Sequence, residues 1–391
     1  MSEILMQITT DNLETGMRGY PVGYCTTSSV DPVKGLFYVG RPVSELANQS
    51  AEQVIYLLYN GKEGDRNELR HFIADLNNRS NCSKELIDTI QSLPIESNPM
   101  KLFCAALLIL GMLQGKNDYR EDSLDVIAKI PQLAALVINH HAGWGGPLPS
   151  DPNLGYIENF VHMLNVPKAD PSKLIEVFRL FSILHFDHGG GNLSTFVGKA
   201  IASGLEDLYG SLTGAMTALA GPRHGKANQD SLAFVEAVLD ELGENATSSD
   251  VETLIRRRLD NGELLFGFGH AVLRVEDPRA TIFYDVASKS YPQHPLVKIA
   301  LLLRQEAPKV LKQNPKISNP YPNIDAISGT LLTAAGFPYP QYYTVLFGMA
   351  RIVGISRQIR YERLEARDGK GTPIVRPKYL YKERVASHDL E

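Results

Sequence analysis

Cysteine is scarce in this chain: Cys25, Cys82 and Cys104 are the three thiols among 391 residues. Their number is odd and their spacing wide, and no Cys-x-x-Cys or Cys/His zinc pattern occurs. That argues against a disulfide framework or a zinc module and points to reduced thiols in a cytosol-like compartment. Long apolar runs are also missing. The longest, LFCAALLILGML at 102–113, falls well short of the roughly 18 residues that signal a membrane span, so no membrane partner is expected. The N-terminal stretch MSEILMQITTDNLETGMRG has no basic start ahead of an apolar core, and it carries acids. Neither a secretory signal nor a transit peptide is expected in it. A cytoplasmic protein is the expectation, or one of the mitochondrial matrix where a presequence has been removed.

Basic excess is absent as well. Lys and Arg number 39 against 44 Asp and Glu, a formal net charge of −5. A protein whose main task is to neutralise nucleic-acid phosphates needs the opposite balance, so no nucleic-acid partner is expected. Nucleotide signatures fail too. Residues 267–272 read Gly-Phe-Gly-His-Ala-Val, without the last glycine of a dinucleotide fingerprint, and no G-x-x-x-x-G-K-[ST] occurs. Strand signals are few, and no alternation of strands and helices suggests a doubly wound sheet.

What the chain does have is helical pattern. PSKLIEVFRLFSILHFDH opens on Pro171, repeats apolar residues at helical spacing and halts at Gly189-Gly190-Gly191. Asn192 is placed to cap the next helix, and Ser248 or Ser249 to start a later one that stops before Gly262. The best strand signal is TSSVDPVKGLFYVGRP, a small hairpin turning at Asp31-Pro32 and Gly35. The expected fold class is all-α, in two domains, with a minor N-terminal β-hairpin. Residues 1–225 and 336–391 would form a large domain and 226–335 a smaller mobile one.

Three loops each set a histidine beside glycines at a helix boundary: HFDHGGGN with His188, GPRHGKAN with His224 and GFGHAVLR with His270. A fourth, NPYPNIDAISG, presents Asp325. Glycine beside a reactive side chain lets backbone approach a ligand closely. One such histidine is commonly structural, but three of ten placed alike suggest a shared site. Arg279 follows Asp277-Pro278. Arg351 lies four residues after Phe347, on the same helical face, and Arg376 lies in TPIVRPK. Taken singly, each arginine is ordinarily a solvated surface charge; planar, bidentate recognition of carboxylates is what arginine does best.

These motifs together resemble the citrate synthase family. GFGHAVLRVEDPR is similar to its Gly-aromatic-Gly-His…Asp-Pro-Arg signature, LAGPRHGKANQ to its second histidine loop and NPYPNIDAISG to its aspartate loop. LFGMAR and RPK follow in the expected order, and GMRG and NFVHML resemble the version found in mitochondria and some bacteria. The resemblance runs from about residue 16 to 380. It implies a metal-free enzyme without a cofactor, an acyltransferase of the tricarboxylic acid cycle that works as a homodimer or an assembly of dimers. Its partners would be acetyl-CoA and oxaloacetate, condensed to citrate and free CoA. By motif, Asp325 would remove a methyl proton from acetyl-CoA, His224 would donate to the thioester oxygen, and His270 would protonate the oxaloacetate ketone. His188, Arg279, Arg351 and Arg376 would hold oxaloacetate with Phe347 beside them, Arg376 reaching across the subunit interface. Ser194 would orient His224, while Arg18, Arg274 and Lys316 resemble positions that meet CoA.

The chemistry requires such residue types. A thioester α-proton is far less acidic than a carboxyl group, so Asp325 needs a donor where enolate charge develops. Such a donor often contributes about 3–4 kcal/mol. One departure stands out: Gly189 occupies the place where many family members carry Glu. Two alternatives are a 2-methylcitrate synthase acting on propionyl-CoA and, from another class, a metal-dependent hydrolase using His185/His188 or His140/His141. The first differs by one methylene, about 1–3 kcal/mol of discrimination. The second would set repelling arginines around a cation.

Overall fold

The structure, a computed structural model, describes residues 3–95, 98–146, 148–315 and 317–383. Lys316, one of the three cations matched to CoA, lies outside the described residues. Sixteen α-helices, two short 3₁₀ helices and one small sheet make up the regular structure among them. The expected hairpin is present and gains a short third strand. Ser28–Asp31 pairs antiparallel with Gly35–Tyr38, which pairs in turn with Arg41–Pro42. The turn is closed by Asp31, whose Oδ1 accepts from the N–H groups of Val33 and Lys34, an Asx arrangement.

The helix starts follow local chemistry. Asp170 accepts from Ser172 N–H ahead of Pro171, and Asn192 accepts from Thr195 N–H at the head of Leu193–Ala202. Thr247, rather than a serine, caps Ser248–Asp260 and exchanges bonds with Asp250 in a capping box. The helix Pro171–His185 ends three residues before His188. The Tyr38 hydroxyl donates to the Ile183 carbonyl (2.9 Å) and accepts from Asp187 N–H (3.1 Å). It thus stands in for the bond that one more helical residue would have made.

The helix Tyr119–Ala142 runs through the centre of the core, with Val126, Ile130, Leu133 and Val137 fully buried. It packs against Tyr343–Leu364, Pro99–Gln114, Arg66–Arg79 and Tyr156–Met163. The single apolar face expected of a surface helix is missing from it, because it is covered on all sides, and Pro131 interrupts the pattern. Five helices between residues 227 and 334 pack on one another: Ala227–Leu242, Ser248–Asp260, Pro278–Ser290, Pro295–Leu311 and Asp325–Ala334. The last also meets Pro171–His185. None of the described helices is long and apolar enough to cross a membrane.

Candidate active site

The segment 265–279 and the aspartate loop are zipped together by backbone. Gly269 N–H donates to Tyr321 O (2.9 Å), Asn323 N–H to Gly267 O (2.9 Å) and Asp277 N–H to Pro322 O (3.2 Å). Asn323 adds a side-chain bond to Gly269 O (2.9 Å), and Asn319 one to Leu273 O (2.8 Å). Gly267 and Gly269 have φ of +82° and +89°, which glycine adopts without strain. A Cβ on Gly267 would lie 2.6 Å from Ala326 Cα. The glycines therefore serve close contact between His270's loop and the helix that Asp325 begins.

His270 has a fixed orientation and tautomer. The N–H groups of Val272 and Leu273 both donate to its Nδ1, at 3.0 and 2.9 Å. Nδ1 is thus unprotonated, and the neutral ring carries its proton on Nε2. Burial, aided by Arg279, holds its pKa below the usual histidine value. His224 is set the opposite way. Ser194 N–H donates to its Nε2 (3.3 Å) and the Ser194 hydroxyl stands 2.9 Å from the same atom. The His224 proton therefore sits on Nδ1. Burial, with Arg351 nearby, pushes its pKa down to about 4.

His188 faces His270, ring centroids 5.8 Å apart. Burial first, then Arg279, Arg351 and His270, depress its pKa well below the histidine range. All three rings are therefore neutral near pH 7. Asp325 moves in the other direction: burial raises its pKa to about 6, against the pull of Arg279. That suits a base working near neutrality.

The two buried arginines differ. Arg279, 4% exposed, is already paired: its Nε and Nη2 embrace Asp277, the shortest contact being 2.7 Å. Burial opposes its charge, but Asp277 outweighs this and keeps its pKa raised. Arg351, 2% exposed, donates Nε to the His185 carbonyl (2.9 Å) and lies over the Phe347 ring, 4.7 Å from its centroid. No carboxylate among the described residues forms an ion pair with it, and burial lowers its pKa to about 10. Phe347 also stands edge-on to His224, at 6.3 Å, and to His185, at 5.0 Å. A buried guanidinium of this kind calls for an anionic ligand.

The remaining expected residues lie elsewhere in the single chain. Arg376 is exposed and lines a cavity of about 890 Å³ with Met17, Tyr24, Lys199 and Glu362; none of His188, His224, His270 or Asp325 lines it. Arg18 is exposed beside Met17. The Arg274 guanidinium is turned back on its own loop, Nη1 donating to the carbonyls of Val272 and Leu273 at 2.9 Å each. Two site residues carry no signal of their own in the sequence: Asp187 and Gln358, which support the His188 loop. For Asp277 the signal was the Asp-Pro pair itself, which marks a helix start.

Among the described residues, no group of three or more His, Cys, Asp and Glu side chains could hold a metal ion. His185, named in the metal-hydrolase alternative, is committed inside the fold. Its Nδ1 meets the Phe181 carbonyl at 2.7 Å, and its ring stacks on Phe181.

Residues 16–378 match the family model for citrate synthase, C-terminal domain. The mitochondrial citrate synthase of Citrus maxima is 35% identical over 96% of this chain and 83% of its own length. The peroxisomal citrate synthase of Saccharomyces cerevisiae is 32% identical, covering 95% of this chain and 85% of its own. Among solved structures, citrate synthase from Thermotoga maritima superposes with a TM-score of 0.80 at 26% identity, over 97% of this chain and 98% of that one. The same coverage and identity, with a TM-score of 0.81, hold for Thermoplasma acidophilum citrate synthase in ternary complex with carboxymethyl coenzyme A and oxaloacetate. Matched by the family model over nearly its whole length and by relatives along almost all of it, the chain belongs to the citrate synthase family.

Proposed function

We propose that this protein condenses acetyl-CoA with oxaloacetate and hydrolyses the resulting citryl-CoA to citrate and CoA. The observation that carries the reading is the division of labour among these side chains. Two neutral histidines present N–H donors from opposite ring nitrogens, beside one carboxylate of raised pKa and one buried guanidinium with no acid partner.

Asp325 takes a methyl proton from the thioester while His224 Nδ1–H hydrogen-bonds the oxygen on which negative charge grows. The enol carbon attacks the ketone carbon of oxaloacetate, and His270 Nε2 delivers its proton to the ketone oxygen. Water then cleaves the thioester, releasing CoA. Arg351 and His188 hold the dicarboxylate, and Arg279 contributes a guanidinium face still open beside Asp277. Placing both reactants in attack geometry removes much of the entropic barrier, for which residues 226–335 act as a lobe that closes on the rest.

The dicarboxylate clamp is completed in a homodimer by the partner subunit's Arg376. Its neighbours support this: Ile374, Val375, Leu380 and, at 90% and 92% exposure, Tyr379 and Tyr381 are apolar surface. So are Leu108 and Met112 on Pro99–Gln114. Exposed apolar side chains in such number are suited to an interaction face. Arg18 and Arg274 would meet CoA phosphates, Arg274 on release of its guanidinium from the Val272 and Leu273 carbonyls.

The test is thiol release by the purified protein from acetyl-CoA or propionyl-CoA, each with oxaloacetate. The expected result is a kcat/KM for acetyl-CoA at least tenfold above that for propionyl-CoA. The reverse preference would make this a 2-methylcitrate synthase, and no thiol release from either would overturn the assignment.

A further inference from the structure

Three consecutive residues ahead of His188 dock on one helix at helical spacing. The His185 carbonyl accepts from Arg351 Nε (2.9 Å), the Phe186 carbonyl from Gly354 N–H (3.0 Å) and Asp187 Oδ1 from Gln358 Nε2 (2.8 Å). Positions 351, 354 and 358 are separated by three and four residues, so they share one face of Tyr343–Leu364. Phe347, four residues before Arg351, extends the same stripe.

The contact is built to be close. A Cβ on Gly354 would lie 2.5 Å from both the Asp187 carboxyl group and the Phe186 carbonyl. Asp187 is fully buried, and each of its oxygens is used. Oδ2 accepts from the hydroxyls of Thr27 and Ser28, the latter at 2.7 Å. Oδ1 accepts from Gln358 and from His188 N–H (2.9 Å). Gln358 Nε2 also reaches the Gly189 carbonyl (3.2 Å). One amide group thus grips the chain on both sides of His188. The other end of that amide, Oε1, is buried without a partner. An apolar side chain of similar length would avoid that cost, so the donor end is what the position requires.

We propose that Gln358 and Asp187 are positioning residues for the dicarboxylate substrate. They fix the His188 imidazole at a set distance from the Arg351 guanidinium, so that both meet one molecule. The inference rests on the oxaloacetate reading of the pocket. Neither residue reaches the reacting atoms; each acts through the loop and the helix it joins.

The full-length protein tests this with Gln358→Met, which keeps length and loses the donor, and Gln358→Glu, which keeps shape but sets a second acid against Asp187. For Gln358→Met the expected result is an oxaloacetate KM raised about tenfold. The acetyl-CoA KM should move less than twofold and kcat less than threefold. Gln358→Glu should raise the oxaloacetate KM further. Calorimetric titration with oxaloacetate alone should show the same weakening. An unchanged oxaloacetate KM in whichever variant folds would overturn the proposal, as would a fall in kcat with both KM values moving together. If the unmodified protein releases no CoA, the functional reading fails instead, and the two failures are thereby told apart.

Discussion

Replacing Asp325 by Asn should abolish turnover and at the same time stabilise the protein, by an amount that depends on pH. Burial raises the Asp325 pKa from 3.8 to about 6, so the folded state disfavours the carboxylate. A folded-state pKa above the unfolded value contributes stability that is fully present below pH 3.8 and is lost as pH rises through about 6. Above that, the charged group is a constant burden of roughly 2 pKa units, about 3 kcal/mol. At pH 5 the unfolded state is ionised and the folded state mostly protonated, and the burden is about half as large. Because Asp325 is only half-buried, solvent screening trims both figures. Asn keeps the shape and cannot ionise. Urea unfolding of the two proteins, at equal protein concentration and at pH 5 and pH 8, reads the difference directly. Asp325→Asn should be more stable at both, with about twice the gain at pH 8. A variant no more stable than the parent at pH 8, or one equally stabilised at both pH values, would refute the argument. The same shift fixes the acid limb of the parent's kcat/KM profile, which should fall below a pKa near 6.

Two further outcomes follow from the geometry. Gly267→Ala forces a side chain into φ of +82° and against the Ala326 backbone. It should cost about 2–4 kcal/mol and lower kcat by misplacing Asp325, as a thermal melt and a thiol-release assay would show. On the proposed mechanism His224→Ala removes the donor to the developing enolate, and it should lower kcat by about 10²–10³ while the oxaloacetate KM stays within about threefold; steady-state kinetics with both substrates checks this.

Much of the site was legible because its residues sit in loops whose glycines, prolines and caps have local causes. Pro278 at a helix start, Asn192 at another and the paired glycines around Phe268 can be read without knowing what they touch. The supporting shell was less legible. Gln358 lies in a polar stretch of its helix, between Arg357 and Arg360, and nothing nearby in sequence indicates that it meets Asp187, 171 positions away. The tautomers of His224 and His270 depend on backbone N–H groups that only the folded loops aim. The central helix Tyr119–Ala142 was hidden by its own success at being covered, since a helix buried on all sides loses the periodicity by which helices are found. Its terminal pair, His140 and His141, is engaged elsewhere, with the Leu93 carbonyl and the Tyr342 hydroxyl, each at 2.9 Å.

The histidines of the pocket have a consequence for how the protein meets a changing environment. Burial and neighbouring guanidinium groups lower the pKa values of His188, His224 and His270 and so favour the uncharged rings. On the proposed reading the attraction for a dianion is therefore supplied by arginine, whose charge stays constant as acidity drifts. A pocket built on imidazolium would tighten and slacken with every such drift. On the proposed mechanism substrate capture would be insulated from acidity, and acidification would be registered at Asp325, in the proton-transfer step, so that falling pH should slow turnover before it empties the site.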